Sequence, residues 1–229
     1  MFGSMTAFLI YFAFLMIIPL WASSRVKSTY NKYSKISASS GMSGAEVARK
    51  ILNDNGLFDV KVEPVKGQLT DHYDPRKKIV RLSEHNYYKD SVAGAAVAAH
   101  EVGHAIQDSQ EYAFLKFRSA LVPVASFGSN ASIFLIIGGM LLTLSNLVLA
   151  GIVLMSFAVL FQLVTLPVEF NASNRAMDQM VSIGVIRNDE ERETKKVLNA
   201  AALTYVAAAL VAVAELIRFV LMYTMMNNE

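Results

Sequence analysis

The chain has 229 residues and no cysteine, with 54% hydrophobic and only 17% charged residues. A disordered chain needs the opposite balance. The missing cysteines exclude disulfides, thiolate zinc sites, iron–sulfur clusters and cysteine nucleophiles, and a net charge of +2 is too small to mark a nucleic-acid partner.

Residues 1–24 hold no charged side chain, and Met5–Ala22 is long enough for one membrane span. A secretory signal would open on a cationic stretch. Nothing before Arg25 is charged, so the segment reads as an uncleaved anchor. Segment 25–118 is polar and is the expected catalytic domain. Residues 23–40, which lead into it, are rich in Ser, Lys and Tyr and read as a juxtamembrane arm. Ser43–Gly44–Ala45–Glu46 matches a helix capping box. The helix it opens runs through Leu52 and can end at Gly56. Short strands are expected over Phe58–Glu63, Gln68–Tyr73 and Ile79–Ser83. Pro64–Gly67 separates the first two, and Asp74–Pro75–Arg76 forms a turn. A second helix starts near Asp90 or Ser91 and runs past His104 to about residue 115.

Segment 119–168 is 50 residues without a charge. As one helix it would reach about 75 Å, over twice a hydrocarbon core of ~30 Å. It must therefore fold back as a hairpin, with its tip at Thr143–Asn146 and spans near 122–142 and 147–167. Segment 169–196 is polar again and opens as a helix at Glu169. Segment 197–229 supplies a fourth span, with Glu215 and Arg218 spaced i, i+3 so that they can pair. With four spans, 25–118 and 169–196 share one side of the membrane and hold 20 of the 21 basic residues. The positive-inside rule makes that side cytoplasmic.

The second helix contains His100–Glu101–Val102–Gly103–His104, the H-E-x-x-H pattern. Histidines at i and i+4 share a helix face and can bind one metal, while the intervening Glu can take a proton from a metal-activated water. Zinc is the default ion for such donors. A third protein ligand is needed. The spacing that would supply a third His at 110, with Gly at 107, meets Gln110 and Gln107 instead. His72 and His85 are candidates. Glu169, directly after the uncharged run, is the better one.

These motifs resemble the integral-membrane gluzincin proteases, which include the HtpX heat-shock and CAAX prenyl proteases. They are more similar still to the bacterial YugP-type neutral zinc metallopeptidases. The resemblance rests on Asp71–His72–Tyr73–Asp74–Pro75, Leu82–Ser83, the stretch from Ala99 to Gln107, and the stretch from Phe170 to Ala176, and it covers most of the chain. It implies a mainly α membrane protein with about four transmembrane helices and a small α+β gluzincin-like catalytic domain, which carries a short β-sheet and the HExxH helix. It implies one Zn2+ per chain held by His100, His104 and Glu169, with Glu101 as catalytic base. The implied activity is that of a zinc-dependent endopeptidase in the bacterial cell membrane, hydrolysing peptide bonds near the membrane surface with a zinc-activated water. Expected partners are a peptide or membrane-protein substrate, the lipid bilayer, and a second copy of the chain or other membrane proteins. The alternative is a non-proteolytic zinc-binding scaffold or assembly factor. An HtpX-like pattern has an Asp four residues after the ligand Glu, where this chain has Ser173. Asp108 and Asp178 are the candidate substitutes. Arg175 is the candidate oxyanion stabiliser, with His72 and Tyr73 as rivals. Strand Ile79–Ser83 is expected to be an edge strand that aligns an extended substrate.

Overall fold

Among the described residues, four helices are long and apolar enough to cross a membrane: α1 (Met5–Tyr33), α5 (Ala113–Leu141), α6 (Ser145–Ser182) and α7 (Glu191–Asn227). The computed structural model describes residues 5–187 and 190–227. The ends of the expected anchor and last span, 1–4 and 228–229, and residues 188–189 of the 169–196 segment lie outside the described residues. The chain divides into two units. One holds the apolar lengths of the four helices, up to 22, 116–167 and from 204 on, and the other holds 23–115 and 168–203.

In the apolar unit the hairpin turns one residue earlier than expected, between Leu141 and Ser145, with Thr143 at φ 57. Helices α5 and α6 approach through glycine. A Cβ on Gly128 would lie 2.5 Å from the Leu154 carbonyl oxygen, and one on Gly151 would lie 2.8 Å from that of Ser132. Small residues of this kind let apolar helices pack backbone to backbone. Glu215 and Arg218 of α7 do pair, Nη2 to Oε2 at 2.5 Å. Tyr11 of α1 donates to the same carboxylate at 2.9 Å. Large apolar side chains such as Phe8, Ile10, Phe134 and Leu141 stay exposed, as a lipid-facing surface requires.

The polar unit is built on an Ala-rich helix, α4 (Val92–Ser109), capped by the Ser91 side chain on the Gly94 N–H. Helix α2 (Gly44–Asp54) has the expected capping box and buries Val47, Ala48, Ile51 and Leu52 against the core shared with α4. Beside them lie strands β1 (Lys61–Val65), β2 (His72–Asp74) and β3 (Ile79–Ser83), and a short helix α3 (Glu84–Tyr88). The sheet order is β1-β3-β2, with β1 parallel and β2 antiparallel to β3.

Several expectations change. Ile79–Ser83 is the central strand, buried on both sides of its pleat, so it has no free edge to offer. The edges are β1 and β2. Strand β1 starts three residues later than predicted and contains Pro64, which an edge position tolerates because no ladder N–H is lost there. The arm after residue 22 is helical to Tyr33 before it pairs with the start of α4 through the Ser37–Ser91 bridge. Helix α4 ends at Ser109, where Glu111 at φ 55 turns the chain into α5. No new helix starts at Glu169, because α6 passes unbroken through Pro167.

Candidate metal centre

The Glu169 side chain is presented by the polar end of α6, and the two histidines by the middle of α4. The two helices can come together because residue 103 is a glycine: a Cβ there would sit 2.6 Å from the Ala172 carbonyl oxygen. Across this backbone contact, Glu169 Oε2 lies 3.2 Å from His100 Nε2 and 3.6 Å from His104 Nε2. The three ligand atoms fall within 4.8 Å of one another, and this is the one such His/Asp/Glu group among the described residues. The histidine rings are nearly perpendicular, with centroids 4.8 Å apart, so their nitrogens converge and do not stack.

The donor set fits zinc. Bonds of about 2.0–2.1 Å in a tetrahedron put neighbouring donors about 3.3 Å apart, and the two observed separations bracket that figure. Two imidazoles and a carboxylate also leave a fourth position open, as catalytic zinc sites do. Glu169 is 3% exposed and His104 8%. A carboxylate buried this deeply needs a cationic or donor partner.

Each imidazole is held from behind at Nδ1. His100 Nδ1 lies 3.1 Å from Ser173 Oγ, and His104 Nδ1 lies 3.0 Å from Gln107 Oε1. Ser173 thus occupies the place where an orienting carboxylate was sought, and a hydroxyl serves. Asp108 is engaged elsewhere, accepting from the Tyr73 hydroxyl at 2.9 Å. Asp178 lines a cavity of about 720 Å³ with Ser173, Arg192 and Lys195, and holds neither imidazole.

Glu101 is 9% exposed, next to the cluster but outside it. Burial pushes its carboxyl up to about 7; the nearby Asp71 and Glu169 charges add to the rise, and His100 opposes it. The Tyr73 backbone N–H of strand β2 also opposes the rise. Its hydroxyl goes to Asp108, and burial and that bond push the phenol well above its usual range.

The other sequence candidates lie elsewhere. His72 bonds the Thr70 carbonyl and Arg81, and His85 bonds the Ser34 carbonyl. Arg175 donates from Nε to Asn171 Oδ1 and from Nη1 to Gln110 Oε1, both at 2.7 Å. Gln107 and Ser173 were missed as contributors. Their signal was spacing, since Gln107 is i+3 from His104 and Ser173 is i+4 from Glu169, each on the ligand's own helix face.

Comparison with known proteins agrees with this chemistry. Residues 8–224 match the family described as "Putative neutral zinc metallopeptidase". The chain is similar to "Putative membrane protease YugP" of Bacillus subtilis (strain 168), with 56% identity over 222 residues that cover 95% of this chain and 99% of that protein. No solved structure matches the chain significantly.

Proposed function

The chain belongs to the putative neutral zinc metallopeptidase family, and from that premise we propose that it is a membrane-embedded endopeptidase of gluzincin type whose centre is His100, His104 and Glu169. The observation that carries the reading is the convergence of two Nε2 atoms on one carboxylate oxygen, 3.2 and 3.6 Å away, beside a buried and separate Glu101.

Zinc bound there supplies Lewis acidity toward a water and the scissile carbonyl. The chain's own groups do the rest. Ser173 and Gln107 hold the two imidazoles in their binding orientation. Glu101 accepts one proton of the attacking water as its oxygen bonds to the carbonyl carbon. It passes that proton to the amide nitrogen as the C–N bond breaks, so one peptide and one water give an acid and an amine. Strand β2 takes over the aligning role first expected of β3. It is an edge strand, paired with β3 on one side only. An extended substrate would add beside it.

Glu169 follows the uncharged 119–168 run directly in α6, which supports cleavage close to the membrane surface. Substrates are then loops, tails or unfolded segments of membrane proteins, or peptides at the bilayer. The bias of 20 of 21 basic residues to one side supports a cytoplasmic-facing site in the bacterial cell membrane.

The test uses detergent-purified, zinc-loaded protein on unfolded casein and a quenched peptide library, with fragments read by mass spectrometry. The wild type should cut internal bonds, and Glu101→Gln should keep its zinc and lose hydrolysis. Equal turnover by Glu101→Gln refutes the mechanism. Bound zinc with no cleavage by the wild type transfers support to the scaffold reading.

A further inference from the structure

Gln107 is completely buried, and every polar atom of its amide is used. Its Nε2 lies 2.8 Å from the Val168 carbonyl oxygen and 2.9 Å from Asn171 Oδ1. A carbonyl oxygen can only accept, so the NH2 end of the amide must face Val168. The same orientation is enforced a second time. Arg175 can only donate, and its Nε meets Asn171 at 2.7 Å, so the atom Asn171 turns toward both partners is its oxygen. Both protons of the Gln107 NH2 group are then committed. What remains for His104 is Oε1, a pure acceptor 3.0 Å from Nδ1.

We infer that Gln107, locked by Val168 and by the Arg175–Asn171 pair, forces the His104 proton onto Nδ1 and so keeps the Nε2 lone pair aimed at the metal position. Gln107 is in this reading a positioning residue, and Arg175 acts through it. The inference rests on the metal-site reading above for its consequence, but not for its first test. A neutral histidine in water favours neither nitrogen decisively, and the ligand nitrogen is set by the hydrogen bond that the other one makes. An orienting group built from an amide also adds no charge beside the site. The imidazole is therefore held without the extra negative field that a carboxylate would bring.

The chain has only four histidines, so selective 15N-histidine labelling of the full-length protein in detergent gives a readable spectrum. In the metal-free wild type, His104 should show the Nδ1–H tautomer. Gln107→Met should lose that preference and bind zinc about 10–100-fold more weakly in competition with a fluorescent chelator. An Nε2–H tautomer at His104 in the wild type overturns the inference, and so does a Gln107→Met protein that binds zinc as tightly as the wild type. A wild type that binds no zinc at all refutes the metal-site reading instead, and the tautomer measurement still decides the role of Gln107.

Discussion

Gly103 lies between the two histidines and touches no metal, yet its replacement by alanine should damage the site. The new Cβ would stand 2.6 Å from the Ala172 carbonyl oxygen, whereas ordinary contact begins at 3.4 Å. Backbone lies on both sides of this contact, so no side chain can swing away. Helix α6 must retreat by about 0.8 Å, and it carries Glu169 three residues before Ala172. Metal–ligand bonds tolerate about 0.2 Å. Overpacking of this kind costs about 1–3 kcal/mol. If the metal-free protein relaxes by moving α6, zinc binding must pull it back against that strain. The dissociation constant should then rise roughly 5- to 150-fold, at about 1.4 kcal/mol per factor of ten. The assay is chelator competition on Gly103→Ala and wild type, with thermal unfolding of both metal-free proteins alongside. Strain that is not relaxed appears as a lower unfolding midpoint instead. A variant unchanged in both zinc affinity and midpoint would refute the claim that this backbone contact sets the ligand geometry.

Other perturbations have equally definite outcomes. His104→Ala and Glu169→Ala should each abolish stoichiometric zinc in elemental analysis; zinc retained by Glu169→Ala would remove the carboxylate from the site. Glu190 accepts from the Ser39 backbone N–H and hydroxyl and from the Arg187 N–H. Burial opposes its ionisation, but these bonds more than compensate and hold its carboxyl below the usual range. A depressed carboxylate stabilises the fold fully above its unfolded pKa and loses that contribution as pH falls through the folded one. Acidification into that lower range should therefore raise hydrogen exchange around Ser39, and Glu190→Gln should abolish the pH dependence. In the apolar unit, Arg218→Met leaves Glu215 with only the Tyr11 hydroxyl and should lower stability in detergent unfolding by less than the ~3–5 kcal/mol of a fully buried pair, while the double Glu215→Met, Arg218→Met variant should cost less still. A double variant worse than the single one would contradict that ordering.

What the sequence disclosed was whatever depends on near neighbours. The capping box at Ser43, the Ser91 start of α4, the Glu215–Arg218 pair and the i, i+4 histidines are all local patterns, and each folds as its spacing implies. The misreadings share a different cause. Which strand lies at the edge is fixed by pairing between distant segments, and the spacing of three short strands along the chain gave no order. Pro167 and the onset of charge at Glu169 looked like a helix boundary, but α6 is long enough on both sides to carry a single lost hydrogen bond. Gln107 was weighed only as the place of a missing glycine, in a pattern whose third histidine would fall at 110. Its role depends on Val168 and Asn171, more than sixty residues away, and no local pattern announces that partnership.

The composition of α4 explains why the site can be this exact with so few large side chains. Ala93, Ala95, Ala96, Ala98, Ala99 and Ala105 are all at most 1% exposed. Side chains this short let neighbouring helices approach until backbone meets backbone. At one end of α4, a Cβ on Gly44 of α2 would lie 3.1 Å from the Gly94 carbonyl oxygen; at the other, Gly103 meets Ala172 of α6. Long side chains at these interfaces would hold the helices apart with freely rotating groups, and small shifts would be cheap. Backbone contact is stiff, so the separation of α4 and α6 is set within a few tenths of an ångström before any ligand bond forms. The consequence is an asymmetry in mutational response. Enlarging alanines on the α6-facing side of α4 should harm zinc affinity more than it harms global stability, because the extra volume moves the helix that carries Glu169. The same enlargement at Ala93 or Ala96, toward the start of the helix, should show chiefly as lost stability with zinc affinity preserved. Equal effects at both ends would mean that the ligand geometry is set by the histidines and the carboxylate themselves, with the helix contact following them.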